Sequence, residues 1–142
     1  MCHGALCLLL LMLCSCAAHK ETPDEIALKW KVIDEHVEAK RNAVVPCISE
    51  FECKKMFSLA KVFVQQKSDM RIQVIDDTIV STYGPTDFYL CGMTAVRKPT
   101  QNDQSLILLQ IECLDRADSV PTLLKKIAIY KEFPAYLRSA EQ

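Results

Sequence analysis

Cysteines are the residues of this chain most able to do chemistry, because a thiol can form a disulfide, ligate a metal, take part in redox exchange or carry a lipid. The 142-residue sequence contains eight. Four of them, Cys47, Cys53, Cys91 and Cys113, stand in the body of the chain. They form no Cys-x-x-Cys pair, and neither a close cysteine pair nor a matching histidine gives the spacing of a zinc site. We therefore predict disulfides, and four cysteines allow three pairings.

Of the remaining cysteines, Cys2 precedes an uncharged apolar run at residues 5–13, Cys7 lies within it, and Cys14 and Cys16 follow it. The run is about nine residues long, whereas a membrane-spanning helix needs roughly 20. A short apolar stretch followed by small residues is typical of an export signal that is removed. The sequence Leu13-Cys14-Ser15-Cys16 also resembles the lipobox of bacterial lipoproteins.

That resemblance implies a signal peptide at residues 1–15, a diacylglyceryl group on Cys16 and a tether at residues 16–21. Because Ala17 and not Asp follows Cys16, it also implies an outer-membrane or periplasmic location. The two acyl chains would make the anchor stable. Two alternatives remain: ordinary secretion after a cut behind Ala18, and an apolar anchor that is retained.

The chain after residue 21 is long enough for one domain, residues 22–142, and the order of its predicted elements makes that domain α+β. Seventeen basic and 18 acidic residues are interspersed, so no charge excess favours nucleic acid. No phosphate loop or Gly-x-Ser-x-Gly elbow occurs, and we expect a non-enzymatic protein without metal or cofactor. Asp76, Asp77 and Asp87 could form a weak cation site, although Asp is also a common turn residue.

Three helices are predicted from caps and periodicity. Thr22, Pro23 and Glu25 start the first, whose apolar face should be Ile26, Trp30, Ile33 and Val37 and whose His36 should face solvent. Ser49 and Glu52 form a capping box for the second, which ends near Lys67. The third starts near Ser119, and Pro134 should end or kink it.

Four strands are predicted between the second and third helices, at residues 70–74, 78–83, 88–98 and 105–114. Two helices, four strands and a helix indicate an antiparallel sheet with the helices, including the C-terminal one, on one face. If the last hairpin turns about Asn102, Cys91 lies opposite Cys113, close enough for a disulfide. Cys47 and Cys53 then form the other bridge, across the start of the second helix.

Aromatic residues flank the Gly84-Pro85 turn and suggest a binding surface. Tyr83, Phe88 and Tyr89 are of the type enriched at protein interfaces, although they could instead belong to the core. They could border a groove between the sheet and the last helix.

The stretch from Cys47 to Pro85 resembles a group of small exported proteobacterial proteins without an assigned activity. The similar residues are Cys47, Cys53, the segment Ser68-Asp69-Met70-Arg71-Ile72-Gln73 and the segment Thr82-Tyr83-Gly84-Pro85. This resemblance implies export and no mechanism. We expect a membrane-anchored envelope lipoprotein that binds an envelope protein or has a structural role, and alternatively a freely secreted binding or inhibitor domain.

Overall fold

A computed structural model describes residues 21–100, 104–115 and 119–139. Its elements alternate more than the sequence suggested, because one strand separates the first two helices. In chain order they are α1 (Pro23–Asn42), β1 (Val45–Cys47), α2 (Glu50–Lys67), β2 (Ile72–Ile75), β3 (Ile79–Thr82), β4 (Cys91–Pro99), β5 (Ser105–Cys113) and α3 (Val120–Arg138).

Both predicted capping boxes start a helix. The Thr22 hydroxyl accepts the Glu25 N–H, and the Glu25 carboxylate accepts the Thr22 N–H at 2.7 Å. At α2, Ser49 accepts the Glu52 N–H, while the Glu52 carboxylate accepts from Ile48, one residue before the cap. These bonds satisfy N–H groups that a helix start leaves without internal partners.

The five strands form one antiparallel sheet in the order β1-β5-β4-β3-β2. The β4–β5 hairpin has the predicted register, from Cys91 opposite Cys113 to Pro99 opposite Ser105. The turn with Asn102 lies outside the described residues. The Cys91 N–H and C=O both bond to Asp69. Cys91 and Cys113 are therefore a non-hydrogen-bonded pair, the kind with the closest Cα atoms.

The prediction of four strands is wrong by one, because β1 pairs with β5 along the sheet edge. Val45 lies opposite Ile107, and Cys47 lies opposite Ser105. Three residues are too few to show an alternating pattern, and Pro46 argued against a strand. Proline is tolerated on an edge strand, where its missing N–H breaks no ladder bond.

Helices α2 and α3 cover one face of the sheet, as predicted for the C-terminal helix. α2 packs on β1, β3 and β4, and α3 packs on β5 and α2. The shared core includes Phe57, Phe63, Tyr130 and Phe133. α3 continues through Pro134 to Arg138, so the first of the two predicted outcomes, that the proline ends the helix, is wrong. Phe133 and Leu137, which are fully buried, hold the helix on both sides of Pro134.

The predicted packing face of α1 is wrong for three of its four residues, because Ile26, Trp30 and Val37 are exposed, whereas Ile33 is half-buried against the core. Trp30 is 63% exposed, whereas Val32 and Ala39 are buried. α1 packs chiefly on α3, where the half-buried His36 ring lies 5.7 Å from the ring of Tyr130. Val32 and Ala39 belong to the hydrophobic core, so α1 contributes to that core mainly through a face other than the predicted one.

Candidate binding surface

The predicted cysteine pairing is the one found in the structure. Disulfides join Cys47 to Cys53, with Cα atoms 5.2 Å apart, and Cys91 to Cys113, with Cα atoms 4.0 Å apart. The first joins β1 to the first turn of α2. The second joins the start of β4 to the end of β5, directly beside the loop that carries the aromatic residues.

That loop, residues 83–90, is fixed against the end of β5. Phe88 forms a bridge with Leu114, and the Tyr89 N–H donates to the Leu114 carbonyl at 3.1 Å. The Leu114 N–H donates in turn to the Leu90 carbonyl at 3.2 Å. The backbone beneath the aromatic side chains is therefore held by hydrogen bonds on both sides of Tyr89.

Tyr89 adopts an unusual backbone conformation. Its φ is 67°, the one positive value among the described residues other than glycine. This left-handed region brings the Cβ of an L-residue close to its own backbone, at a cost of roughly 1–2 kcal/mol. The Tyr89 side chain is 66% exposed, so little of that cost is returned by burial. Backbone strain at an exposed aromatic residue directs attention to function.

Asp69 and Lys125 hold this backbone in place. The Lys125 ammonium donates to the Tyr89 carbonyl at 3.2 Å and to the Asp69 carboxylate at 2.7 Å. The same carboxylate accepts the Cys91 N–H at 2.8 Å. Burial by itself raises the pKa of Asp69, but the bonds from Lys125 and Cys91 hold that pKa below its ordinary value. Asp69 thus remains ionised and links the α2–β2 connection to α3.

Phe88, Tyr89 and Leu114 together form an exposed surface that we call the aromatic patch. The hydrogen bonds and the bridge above place the backbones of the three residues beside one another. Contiguous exposed apolar side chains are typical of interaction sites, and tyrosine combines an apolar ring with a polar tip. The patch is therefore suited to bind another macromolecule.

Tyr83 lies apart from this patch. It lines a groove of about 440 Å³ together with Arg71, Thr86 and Leu90, and it borders a second, polar groove of about 300 Å³. The polar groove crosses the face of the sheet opposite the helices, among Ser81, Thr94, Gln110 and Glu112. Phe88 and Tyr89 line neither groove. The structure therefore divides the three predicted aromatic residues between two neighbouring surfaces around Leu90.

Two of the three aspartates considered as a cation site have partners for their carboxylates, and the third has one for its backbone carbonyl. Asp76 accepts the N–H groups of Thr78 and Ile79, and these bonds hold the pKa of Asp76 below its ordinary value. Asp77 pairs with Lys61 at 3.6 Å, and the Asp87 carbonyl accepts from Leu90. In the part of the chain that the structure describes, no group of three His, Cys, Asp or Glu residues could hold a metal ion.

Sequence reasoning missed the cavity between α1 and α3. It measures about 600 Å³ and has charged walls that include Lys31, Asp34 and Glu38. At its edge Lys131 donates to Glu35 at 2.6 Å, and this bond and the Lys131 charge hold the pKa of Glu35 below its ordinary value. The cavity residues on α1 and those on α3 are separated by about a hundred positions along the chain, so no local sequence pattern brings them together.

Cys16 and the proposed signal peptide lie outside the described residues. No helix among residues 21–139, in the ranges that the structure describes, is long and apolar enough to cross a bilayer. Comparison with models of protein families, with curated proteins and with solved structures finds no match.

Proposed function

We propose that this protein is a lipoprotein of the bacterial cell envelope, anchored through a diacylglyceryl group on Cys16, and that its folded part is a non-enzymatic module that binds an envelope protein through the aromatic patch. The observation that carries the proposal is the combination of two disulfides with the residues Leu13 to Cys16.

The disulfides support export because structural disulfides persist in oxidising compartments and are rare in the cytosol. All four cysteines of the described residues are paired. Cys16 is then the cysteine that a lipid can occupy after cleavage behind Ser15. Two acyl chains on one residue give the durable membrane attachment that a single chain does not.

Tyr89 supports the binding role. A tyrosine in the left-handed conformation stabilises this fold less than glycine would, yet its ring is exposed. An interface in which this ring is a contact residue accounts for both observations, because tyrosine is enriched among the residues that dominate binding energy.

The intact mass of the chain from its native host, before and after reduction, tests the anchor. A chain that starts at Cys16 with a diacylglyceryl mass, and gains about 4 mass units on reduction, is expected for a lipoprotein with two disulfides. A lipid-free chain that starts at His19 contradicts the anchor. It would instead favour the second candidate, a secreted binding domain, which the small residues Cys16 and Ala18 before that cut support.

Replacement of Tyr89 tests the aromatic patch. Tyr89→Gly should leave the melting temperature unchanged or raise it, because about 1 kcal/mol of backbone strain is relieved while unfolded-chain entropy offsets part of the gain. A photo-crosslinking residue at Tyr89 should give one discrete adduct in the envelope, whereas the same residue at Phe51, an exposed position on α2, should give none. Equal labelling at both positions, or loss of stability in Tyr89→Gly, contradicts the binding role of Tyr89.

A further inference from the structure

The first helix carries an exposed apolar stripe that the fold does not use. Ile26, Trp30 and Val37, which we call the α1 stripe, are 41%, 63% and 53% exposed. They are four and seven positions apart, and at about 100° per residue they project within about 40° of one another. Such a stripe normally faces a core.

The α1 stripe lies on the side of α1 away from its most buried residues. Val32 and Ala39 project from the helix roughly 150° away from the stripe, toward α3. Ile33, which projects within about 60° of all three stripe residues, is half-buried against the core and marks the border of the stripe. A tryptophan and two branched aliphatic residues on one outer surface indicate a contact beyond the chain's own core.

We infer that the α1 stripe inserts into the interface of the membrane that holds the anchor, so that α1 lies in the plane of the bilayer. This inference rests on the proposed acylation of Cys16. Six positions separate Cys16 from the cap Thr22, and an extended chain of that length spans at most about 20 Å. The first turn of α1 is thereby kept close to the lipid headgroups. Tryptophan favours this interfacial region, and an apolar stripe on a polar helix is the pattern of helices that lie there.

The charges of α1 indicate whether its contact with the membrane is electrostatic or apolar. The helix has no basic excess, because its five acidic residues outnumber its four basic ones: Asp24, Glu25, Asp34, Glu35 and Glu38 against Lys29, Lys31, Lys40 and Arg41. Attraction to anionic lipid headgroups therefore cannot supply the contact. The contact is apolar insertion, and it should occur in zwitterionic membranes and persist at high salt.

Trp30 is the single tryptophan of the chain, so its fluorescence reports on the α1 stripe alone. The experiment places the acylated full-length mature protein in phosphatidylcholine vesicles whose acyl chains are brominated. Compared with the unacylated Cys16→Ser chain in buffer, Trp30 emission should shift to shorter wavelength. Bromine should quench it, to an extent that high salt does not change.

Matched double variants separate the α1 stripe from general surface hydrophobicity. Ile26→Asn with Val37→Asn should remove the shift and most of the quenching, while Trp30 remains as the probe. Ile48→Asn with Phe51→Asn, two exposed apolar residues at the start of α2, should leave both unchanged. Equal effects of the two variants contradict the inference.

The intact mass of the same sample keeps the two proposals distinct. If the chain is acylated but brominated lipid does not quench Trp30 emission, the membrane contact is overturned and the lipoprotein proposal stands. A chain without the acyl group overturns both. A shift that depends on protein concentration and occurs without lipid overturns the membrane contact in favour of a second copy of the chain.

Discussion

Gly92 is the residue at which the sheet and the neighbouring groove meet. β3 runs so close to β4 there that a Cβ on Gly92 would lie 2.7 Å from the Tyr83 carbonyl oxygen and 3.1 Å from the Thr82 hydroxyl. That hydroxyl also accepts the Met93 N–H at 2.8 Å and so takes the place of a backbone carbonyl as the acceptor of a sheet hydrogen bond. Absence of a side chain at position 92 is therefore what lets the backbone at Thr82 and Tyr83 lie so close to β4.

Gly92→Ala should consequently destabilise the protein by about 1–3 kcal/mol, the usual cost of forcing an extra group into a packed site. The measurement is denaturant unfolding. Gly84→Ala is the matched control, since a Cβ there meets nothing within 4 Å and Gly84 has no positive φ. Equal stability of the two variants would show that β3 can move away from β4 at no cost.

The residues that support the surface were harder to predict than the cysteines. The pairing of Cys91 with Cys113 followed from the symmetry of a single hairpin, a local property of the sequence. The link from Lys125 to Asp69 spans 56 positions, and the same Lys125 ammonium donates to the Tyr89 carbonyl. Neither residue has a spacing that marks it, because the contact exists only once α3 has packed beside the sheet.

Helices and strands whose ends are marked by local capping or turn residues could be predicted. Elements that form only through contact with a neighbouring element could not. Helix starts at Thr22 and Ser49 were correct because caps act locally. β1 is a strand only because β5 lies beside it. The inward face of α1 is set by its contact with α3, so Val32 and Ala39 are buried while the more apolar α1 stripe is exposed.

The two disulfides should differ in their effect, because they close loops of different length. In the chain-entropy description, the bridge across 22 positions contributes about 3 kcal/mol and the bridge across 6 positions about 2 kcal/mol. Replacing Cys91 and Cys113 by alanine should therefore lower the unfolding free energy more than replacing Cys47 and Cys53. The comparison needs oxidising conditions, and the reverse order would contradict it.

An ion pair between Glu50 and Arg97 joins the first turn of α2 to β4. Arg97 is only 9% exposed; its guanidinium donates twice to the Glu50 carboxylate and once to Ser105. Its hydrogen bonds hold the pKa of Glu50 below the ordinary value of 4.5. A lowered pKa in the folded state means that the pair stabilises above that value and loses its effect as pH falls through the lowered pKa.

Glu50→Gln should therefore lower the melting temperature at about pH 7, and its difference from the unchanged protein should shrink as the pH falls below 4.5, the ordinary pKa of a glutamate. Glu112→Gln, on the exposed face of the sheet, is the control and should have no such dependence. A constant difference across this pH range would mean that the loss of packing and not of charge is responsible.

At the scale of the whole molecule, stability should fall from the sheet outward. β4 and β5 lie in the middle of the sheet, are joined by a disulfide and have α2 or α3 packed over them. α1 packs chiefly on α3, and along its 20 residues only Val32 and Ala39 are buried, with Ile33 half-buried beside them. A helix held by so little apolar contact can open without the rest of the protein unfolding.

Hydrogen exchange measured by mass spectrometry should therefore show α1 exchanging first, with its N-terminal half ahead of the half near Ala39. The amides of β4 and β5 should exchange only through global unfolding, because their ladder bonds lie between neighbouring strands. Reduction of both disulfides should bring the exchange rates of β4 and β5 closer to that of α1, since it lowers the global free energy of unfolding and leaves the α1–α3 contact unchanged. Exchange of α1 at the rate of β5 would contradict this order and would mean that α1 opens only when the whole protein unfolds.

If membrane contact through the α1 stripe occurs, vesicles should slow exchange in α1 alone, because the lipid then supplies the packing that the fold does not.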